Sequence, residues 1–459
     1  FGIRGRTGYN PIKVSAAYFC QDAFLNQLGV SPTFNLLTSV MDDMRPENKY
    51  LHLMDEQEAI TKAQALLNRP GDANVSPLAV YRHAAKADSV QQRRPNVVLI
   101  MMESMSAKFM KHFGQSETLT PFLDSLYTRS ISFRNFYSAG IHTNHGLYAT
   151  LYSFPAMMKR NLMKGSVIPR YSGLPTVLKE NGYYNLFFMT HEGQYDNMNA
   201  FFRTNGYDEV FSQEDYPADK VVNSFGVQDD FLYDYAIPVL NQRAATGQPF
   251  FATLLSISNH PPYVIPPFFH PKTSEPETQI VEYADWALRQ FFEEARKQPW
   301  FDNTIFVLEG DHGKLVGDAE CELPESYNHI PLMIYSSRIQ PEEKTTFGGQ
   351  VDIQPTILGL LNIDYLQNNF GVDLLKEERP CMFYTADNMV VGRNDTLLYL
   401  YNYETQQELT YHIGNGKLNA VPMGDSFLPL KEYSFSMLQS AEFLVKHGKT
   451  LNSIPFTQQ

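Results

Sequence analysis

Thr304-Ile-Phe-Val-Leu-Glu-Gly-Asp-His-Gly313 is an apolar run rich in β-branched and aromatic residues that stops at a glycine and hands over to a carboxylate and an imidazole. Such a run reads as a buried strand, here over Thr304 to Leu308. In open parallel α/β sheets, ligands bind beyond the carboxyl ends of the strands. Asp311 and His312 therefore stand where oxygen and nitrogen can hold a divalent cation. A polar turn whose His caps a neighbouring group reads the same way, so this pair alone decides nothing. The other strand ends add to it.

Asn96-Val-Val-Leu-Ile-Met-Met102 is nearly all apolar, as a strand covered on both faces requires, and it ends at Glu103. Tyr184 to Met189 ends at Thr190-His191-Glu192, and Phe250 to Ile257 ends at Ser258-Asn259-His260. Helical patterns lie between and after these runs, over Thr120–Ser130, Asn144–Ser153, Leu174–Asn181, Val281–Lys297 and Ile353–Leu361, with a further strand at Leu332–Tyr335. The alternation implies an α/β fold, a mostly parallel central sheet flanked by helices. With the strands parallel, Glu103, His191, His260 and the Asp311-His312 pair all face one crevice. Four ends bearing these residue types point to a metal site rather than to independent turns.

Residues 1–94 differ in character. Apolar residues recur at helical spacing from Ser15 to Met44 with a break at Pro32, and Asp55 to Asn68 reads as an amphipathic helix closed by Pro70-Gly71. A polar, Pro-containing stretch leads to Asn96, so 1–94 reads as a helical stem and linker and 95–380 as the catalytic domain. Residues 381–459 read as a small C-terminal α+β subdomain, with paired strands at Leu397–Tyr403 and Leu409–His412 and a last helix at Phe435–His447. A composition of 43% hydrophobic and 13% aromatic residues supplies a core and excludes disorder. The net charge of −13, from 37 basic and 50 acidic residues, excludes a nucleic-acid-binding surface. Cys20, Cys321 and Cys381 are too few and too scattered for a disulfide framework or a Cys-x-x-Cys zinc site. No apolar run approaches the roughly 20 residues that cross a bilayer. The chain opens at Phe1 without Met or signal peptide, and the expectation is a fragment or processed form of a longer protein.

A metal held by two carboxylates and an imidazole still wants a nucleophile. Ser138-Ala-Gly-Ile-His-Thr-Asn-His-Gly146 is a small-residue turn running into a helix, with Thr143 at the helix start. Free N–H groups and the helix dipole favour negative charge there. A hydroxyl at that place beside a dication has its pKa lowered and can act as a nucleophile. By itself, a Thr before a helix is an N-cap. Beside Glu103 and Asp311-His312, the nucleophile is the preferred reading. His142 and His145 flank it as outer groups or loop residues.

Taken in order, Asn96-Val-Val-Leu-Ile-Met-Met-Glu-Ser104, Thr120-Pro-Phe-Leu-Asp124, the Thr143 turn, Ser258-Asn-His-Pro-Pro-Tyr263 and Glu309-Gly-Asp-His-Gly313 carry a resemblance. The sequence resembles the lipoteichoic acid synthase–like branch of the sulfatase/alkaline-phosphatase superfamily, from about Pro95 to Leu375, with Val351-Asp-Ile-Gln-Pro-Thr356 and Phe370-Gly-Val-Asp-Leu-Leu375 extending it. The resemblance implies a bacterial membrane protein whose catalytic domain is extracytoplasmic, periplasmic or cell-surface, joined by the N-terminal stem to a membrane-spanning part upstream. It implies transfer of a phospholipid head group to an acceptor hydroxyl on an envelope glycan or lipid. Phosphoglycerol is the first expectation for that group and phosphoethanolamine the second. It also implies one divalent cation, manganese first and zinc or magnesium next, on Glu103, Thr143, Asp311 and His312, with Thr143 carrying a covalent phosphothreonine intermediate. His191 and His260 match substrate-contacting histidines. His329, in Tyr327-Asn-His-Ile-Pro-Leu332, matches a His that in phosphoethanolamine transferases can bind a second zinc with one like His260, although a lone His before a strand is as a rule structural.

One departure bears on the substrate. Polyglycerolphosphate synthases of this branch carry a Trp-x-Arg segment a few residues after the position of His191. This chain reads His191-Glu-Gly-Gln-Tyr-Asp-Asn-Met198 with no Arg before Arg203, whose spacing is wrong and whose expected place is the surface. The head-group pocket is therefore expected to differ. A sulfatase would need a Cys or Ser in a Cys/Ser-x-Pro/Ala-x-Arg signature, and the aligned residue is Thr143. A two-metal phosphatase would need more Asp and His ligands, and no Gly-x-Ser-x-Gly elbow supports a serine hydrolase. The remaining alternatives are a phosphodiesterase of the same superfamily and an inactive sulfatase-like cell-surface binding module. The intact Glu103, Thr143, Asp311 and His312 oppose the latter.

Overall fold

Three helices precede the central sheet in the computed structural model, which describes residues 17–18, 20, 23–45, 49–68, 81–84, 94–164, 168–414 and 416–451. They are α1 (Ala23–Leu28), α2 (Pro32–Asp43) and α3 (Glu56–Leu67). Pro32, expected as a break, is the first residue of α2, where its missing N–H costs nothing. Asp55 caps α3 by accepting from the N–H groups of Gln57 and Glu58, and the helix buries Ala59, Ile60, Ala63 and Leu67 on one face. Part of the expected linker is a strand, β1 (Tyr81–Ala84); residues 69–80 and 85–93 of that linker lie outside the described residues.

From there strands and helices alternate: β2 (Asn96–Met102), α4 (Pro121–Tyr127), β3 (Ile131–Tyr137), α5 (Thr143–Tyr152), α6 (Leu174–Glu180), β4 (Tyr184–Met189), α7 (Met198–Thr204), β5 (Glu209–Phe211), α8 (Asp229–Ala245), β6 (Phe250–Leu255), α9 (Pro276–Ala295), β7 (Thr304–Gly310), β8 (Leu332–Tyr335), β9 (Glu342–Gly349) and α10 (Ile353–Leu360). Eight of these strands form one sheet in the order β5-β4-β6-β2-β7-β8-β3-β9. All are parallel except β8, which runs against both neighbours. The expected α/β architecture is therefore present. β2 and β7 lie side by side at its centre and are buried along their whole length.

Three strands of this sheet lack the expected apolar run. β3 carries Arg134 and Asn135 in mid-strand, β5 has three residues, and β9 is an edge strand whose first half faces water. Helix α8 was also not anticipated, because Pro238 falls inside it. β7 runs two residues past Leu308, through Glu309 and Gly310, both buried.

The last part of the chain holds β10 (Tyr365–Asn368), paired antiparallel with β1, and then β11 (Met382–Thr385), β12 (Met389–Arg393), β13 (Leu397–Asn402), β14 (Gln407–Gly414) and β15 (Lys417–Val421). These five make an antiparallel meander where two paired strands were expected, covered by α11 (Leu428–Lys446), which begins seven residues before Phe435. The chain ahead of α3 is tied to α11: Gln439 accepts from the Leu53 N–H at 2.7 Å, and Lys62 of α3 pairs with Glu432. Arg379 is wholly buried and grips Asp352 just ahead of α10 through Nε at 2.9 Å, while its Nη1 donates to Tyr433 of α11 at 2.6 Å. Cys321 and Cys381 are free thiols. Among the described residues, no helix is long and apolar enough to cross a membrane.

Candidate metal centre and nucleophile

The centre starts from strand register. Met102 of β2 pairs with Gly310 of β7, so Glu103 and Asp311 leave the sheet side by side, and the Asp311 N–H extends the ladder to the Met102 carbonyl at 3.0 Å. Both carboxylates are buried, at 1% and 0% exposure. Asp311 Oδ1 accepts from the N–H groups of Ser104 at 2.8 Å and His312 at 2.7 Å, whereas Oδ2 is buried with no hydrogen-bond partner. Ser104, held in the left-handed region at φ 50°, also donates its hydroxyl to Glu103 Oε1 at 2.7 Å.

His312 has its Nδ1 2.7 Å from the Gly313 carbonyl, a bond that fixes the tautomer with the proton on Nδ1 and leaves Nε2 as a free electron pair. That Nε2 lies 3.9 Å from Glu103 Oε1 and 3.6 Å from Asp311 Oδ2. Donors each about 2.1 Å from a shared ion stand about 3.4 Å apart at tetrahedral angles. The ligand atoms of Glu103, Asp311 and His312 lie within 4.8 Å of one another. Burial and the neighbouring Asp311 carboxylate hold the Glu103 carboxyl well above the usual carboxylate range. Two buried carboxylates, a spare carboxylate oxygen and an imidazole electron pair turned toward them fit a divalent cation.

Thr143 is the first residue of α5. His142 precedes it with extended backbone and makes no side-chain cap. The Thr143 hydroxyl donates to Glu103 Oε2 at 3.4 Å, so it faces the cluster instead of capping its own helix. Two features fix the helix there. Gly146 packs so tightly that a Cβ would fall 2.2 Å from the Asp311 carbonyl oxygen. Gln350, fully buried, accepts from the Ala139 N–H at 2.9 Å and donates to the Asp311 carbonyl at 2.7 Å, tying the turn before α5 to the end of β7. Thr150 of α5 adds a bond to Glu309 of β7 at 2.6 Å. The sequence reading missed Gln350; its signal was a polar residue, one of two with Asp352, between the glycines at 348–349 and the helix at Ile353.

The histidines separate. His191 is buried at the end of β4, its ring centroid 4.6 Å from that of Tyr195. His260 is half-buried, its ring 4.0 Å from Phe225; burial lowers its imidazole pKa, and Asp311 and His312 are near enough to add smaller, opposing effects. The loop that carries it is anchored by Asp229 of α8, whose Oδ1 accepts from the N–H groups of Ile257 and Ser258. His329 takes no part in the cluster: it stacks on Tyr137 and its Nε2 lies 2.8 Å from the Arg134 carbonyl oxygen, a packing role. His142 pairs with Asp387 at 2.7 Å, and His145 is buried, which pushes its imidazole down to about 3. Arg203 is half-buried rather than exposed, donating to Asn199 and to the Val210 carbonyl.

One cation near the centre was not anticipated. Lys314 lies two residues past His312, and its Nζ donates to Asn259 Oδ1 at 2.5 Å and to the Tyr263 hydroxyl at 3.1 Å. Asn259 in turn donates to the Ser104 carbonyl at 3.1 Å.

Comparison with known proteins follows this geometry. A family model described as Sulfatase matches residues 95–363, which contain every residue of the cluster. The chain is 24% identical over 315 residues to lipoteichoic acid synthase 2 of Bacillus subtilis (strain 168), covering 62% of this chain and 47% of that protein. It is 23% identical over 374 residues to lipoteichoic acid synthase of Staphylococcus aureus (strain USA300), covering 72% and 54%. The chain thus spans about half the length of the curated relatives it matches. Among solved structures, an alkaline phosphatase superfamily protein from Vibrio parahaemolyticus superposes with a TM-score of 0.78 at 26% identity, covering 87% of this chain and 98% of that one. The lipoteichoic acid synthase LtaP from Listeria monocytogenes superposes with a TM-score of 0.67 at 20% identity over 79% and 96%, a likeness of fold.

Proposed function

The chain belongs to the sulfatase family, and from that premise we propose that it is a metal-dependent phosphotransferase. In this reading it moves a phosphoglycerol-type head group from a membrane phospholipid to an acceptor hydroxyl on an envelope glycan or lipid. The observation that carries the proposal is the Thr143 hydroxyl beside the buried Glu103 and Asp311 and the partly buried His312. A Thr at the nucleophile position opposes sulfate-ester chemistry, because its β-carbon already bears a methyl group and cannot become the formylglycine aldehyde. The names of the relatives, lipoteichoic acid synthases, support the same reading, as does the α/β frame.

Glu103, Asp311 and His312, with Thr143, would hold one divalent cation, manganese foremost and zinc or magnesium next. Such an ion supplies positive charge that lowers the pKa of a hydroxyl and neutralises phosphoryl oxygens. The Thr143 proton leaves toward Glu103 Oε2, and Oγ1 attacks phosphorus in line with the ester oxygen of diacylglycerol. The P–O bond to that oxygen breaks, and His260 or His191 protonates the departing alkoxide. Thr143 then carries the head group as a phosphodiester until an acceptor hydroxyl, giving its proton to that histidine, attacks the same phosphorus; the bond from phosphorus to Thr143 Oγ1 breaks, and the proton held on Glu103 returns to Oγ1. Positioning and charge neutralisation account for most of the rate. After His191 the chain offers Tyr195 as its ring partner, and Arg203 is engaged elsewhere, so the head group is held differently from that of the polyglycerolphosphate synthases. An extracytoplasmic domain on a bacterial membrane belongs to this proposal.

Intact-mass spectrometry after incubation with phosphatidylglycerol or phosphatidylethanolamine vesicles tests it. The expected result is a head-group phosphate adduct on the wild type and none on Thr143→Ala; turnover retained in that variant refutes the covalent step. The same adduct with water as the sole acceptor turns the reading to a phosphodiesterase, and purified protein with no stoichiometric ion supports a binding module.

A further inference from the structure

Among the described residues, outside the ligand set and the histidines, one charged side chain at the centre, Lys314, has no assigned work. Lys314 follows Asp311-His312-Gly313 on a loop whose next residue, Leu315, is exposed, yet its own ammonium is drawn inward. Its two hydrogen-bond partners, Asn259 Oδ1 and the Tyr263 hydroxyl, are both neutral. Among the described residues, no carboxylate pairs with it within 4.0 Å, although the Glu103 carboxylate is near enough to act on it. An ammonium taken partly out of water without a paired anion is unfavourable unless an anion completes its surroundings.

The group is also held still. Asn259 is fixed from its other side by the Ser104 carbonyl, and the rings of Tyr263 and Phe109 flank Nζ at 4.8 and 5.4 Å. An ammonium has three N–H donors. Two are engaged by Asn259 and Tyr263, and one remains for an acceptor from outside the chain.

We propose that Lys314 binds a non-bridging oxygen of the phosphodiester that Thr143 attacks. Lys314 is then a substrate-binding group, and Asn259 and Tyr263 are the residues that position it. The assignment rests on the proposed function for its substrate, but the anion contact is measurable without turnover. A surface lysine or a charge that merely offsets Glu103 and Asp311 predicts something different.

The experiment uses the full chain and measures four quantities in the wild type, Lys314→Gln and Lys314→Arg. These are affinity for Mn2+ by calorimetry on the metal-free chain, and, with Mn2+ saturating, affinity for inorganic phosphate by calorimetry and kcat and KM with bis(p-nitrophenyl) phosphate. Lys314→Gln is expected to weaken phosphate binding roughly 10- to 100-fold, the span of one hydrogen bond to a charged group. Its Mn2+ affinity should be unchanged or tighter, and Lys314→Arg should recover part of the phosphate affinity. Loss of Mn2+ affinity with wild-type phosphate affinity overturns the proposal, because Lys314 then only offsets the carboxylates. A wild type that binds no phosphate overturns it as well. If phosphate binding depends on Lys314 while no diester is turned over, the anion site stands and the transferase reading falls. Should Lys314→Gln fail to fold, Tyr263→Phe removes one anchor of Nζ; several-fold weaker phosphate binding supports the proposal, and wild-type affinity overturns it.

Discussion

Replacing Gly146 by Ala tests whether the placement of Thr143, as well as its presence, governs the chemistry. The added methyl carbon would fall 2.2 Å from the Asp311 carbonyl oxygen and 2.9 Å from Gln350 Nε2. Ordinary contact begins at 3.4 Å, so α5 and the end of β7 must part by 1.2 Å, the difference between 3.4 and 2.2 Å. Gly146 lies three residues after Thr143 on the same short helix, so the hydroxyl moves with it relative to Glu103, Asp311 and His312. A misplacement of about 1 Å costs on the order of 10²-fold in rate. Stability changes less, because Ala favours the helix over Gly by about 1 kcal/mol while overpacking costs about 1–3 kcal/mol. The expected outcome is a fall of roughly two decades in kcat/KM on a phosphodiester with Mn2+ saturating, beside a loss of no more than about 2 kcal/mol in urea unfolding. Wild-type kcat/KM together with an unchanged Tm refutes the reasoning, since the helix would then have had room to spare.

Gln350→Ala strips partners from the buried Ala139 N–H and Asp311 carbonyl, and urea unfolding should show a loss of about 1–3 kcal/mol with reduced turnover. His145 is neutral in the fold, with an imidazole pKa near 3 because of burial. The unfolded chain binds more protons from about pH 6.5 down to about 3, so folding stability falls on acidification through that window, by about 2 kcal/mol between pH 7 and pH 5 from this group. His145→Gln should flatten that part of the profile, and an equal slope in both proteins contradicts it. Removing the metal with a chelator should lower Tm reversibly, since an ion at 100 times its Kd stabilises by about 2.7 kcal/mol. A Tm indifferent to Mn2+ and chelator alike would mean that the Glu103–Asp311–His312 cluster holds no ion.

The legible part of the fold was the part buried on both faces. β2, β4, β6 and β7 sit in the middle of the sheet, where packing on either side demands continuous apolar sequence, and their tips named Glu103, Asp311 and His312 directly. β7 was read two residues short because Glu309 breaks the apolar run; it is tolerated there because Thr150 donates to it. β3 and β9 escaped notice since Arg134, Asn135, Glu342 and Glu343 face outward near the sheet's edge. Gln350 opens a three-residue 3-10 turn and Lys314 lies in a loop, segments too short for a period to show, and their roles arise from partners far off in sequence at Ala139 and Asn259. His329 shows the converse: a family resemblance suggested a ligand where a lone His before a strand is as a rule structural, and in the fold it stacks on Tyr137.

The in-register seam of β2 with β7 has a bearing on how the protein matures. Its two acidic ligands are delivered by main-chain bonds of the core, Met102 opposite Gly310 and Asp311 back to Met102, which owe nothing to an ion. On the reading proposed above, the polypeptide would thus bring its two acidic ligands together before any ion arrives, so that assembly would not wait on metallation.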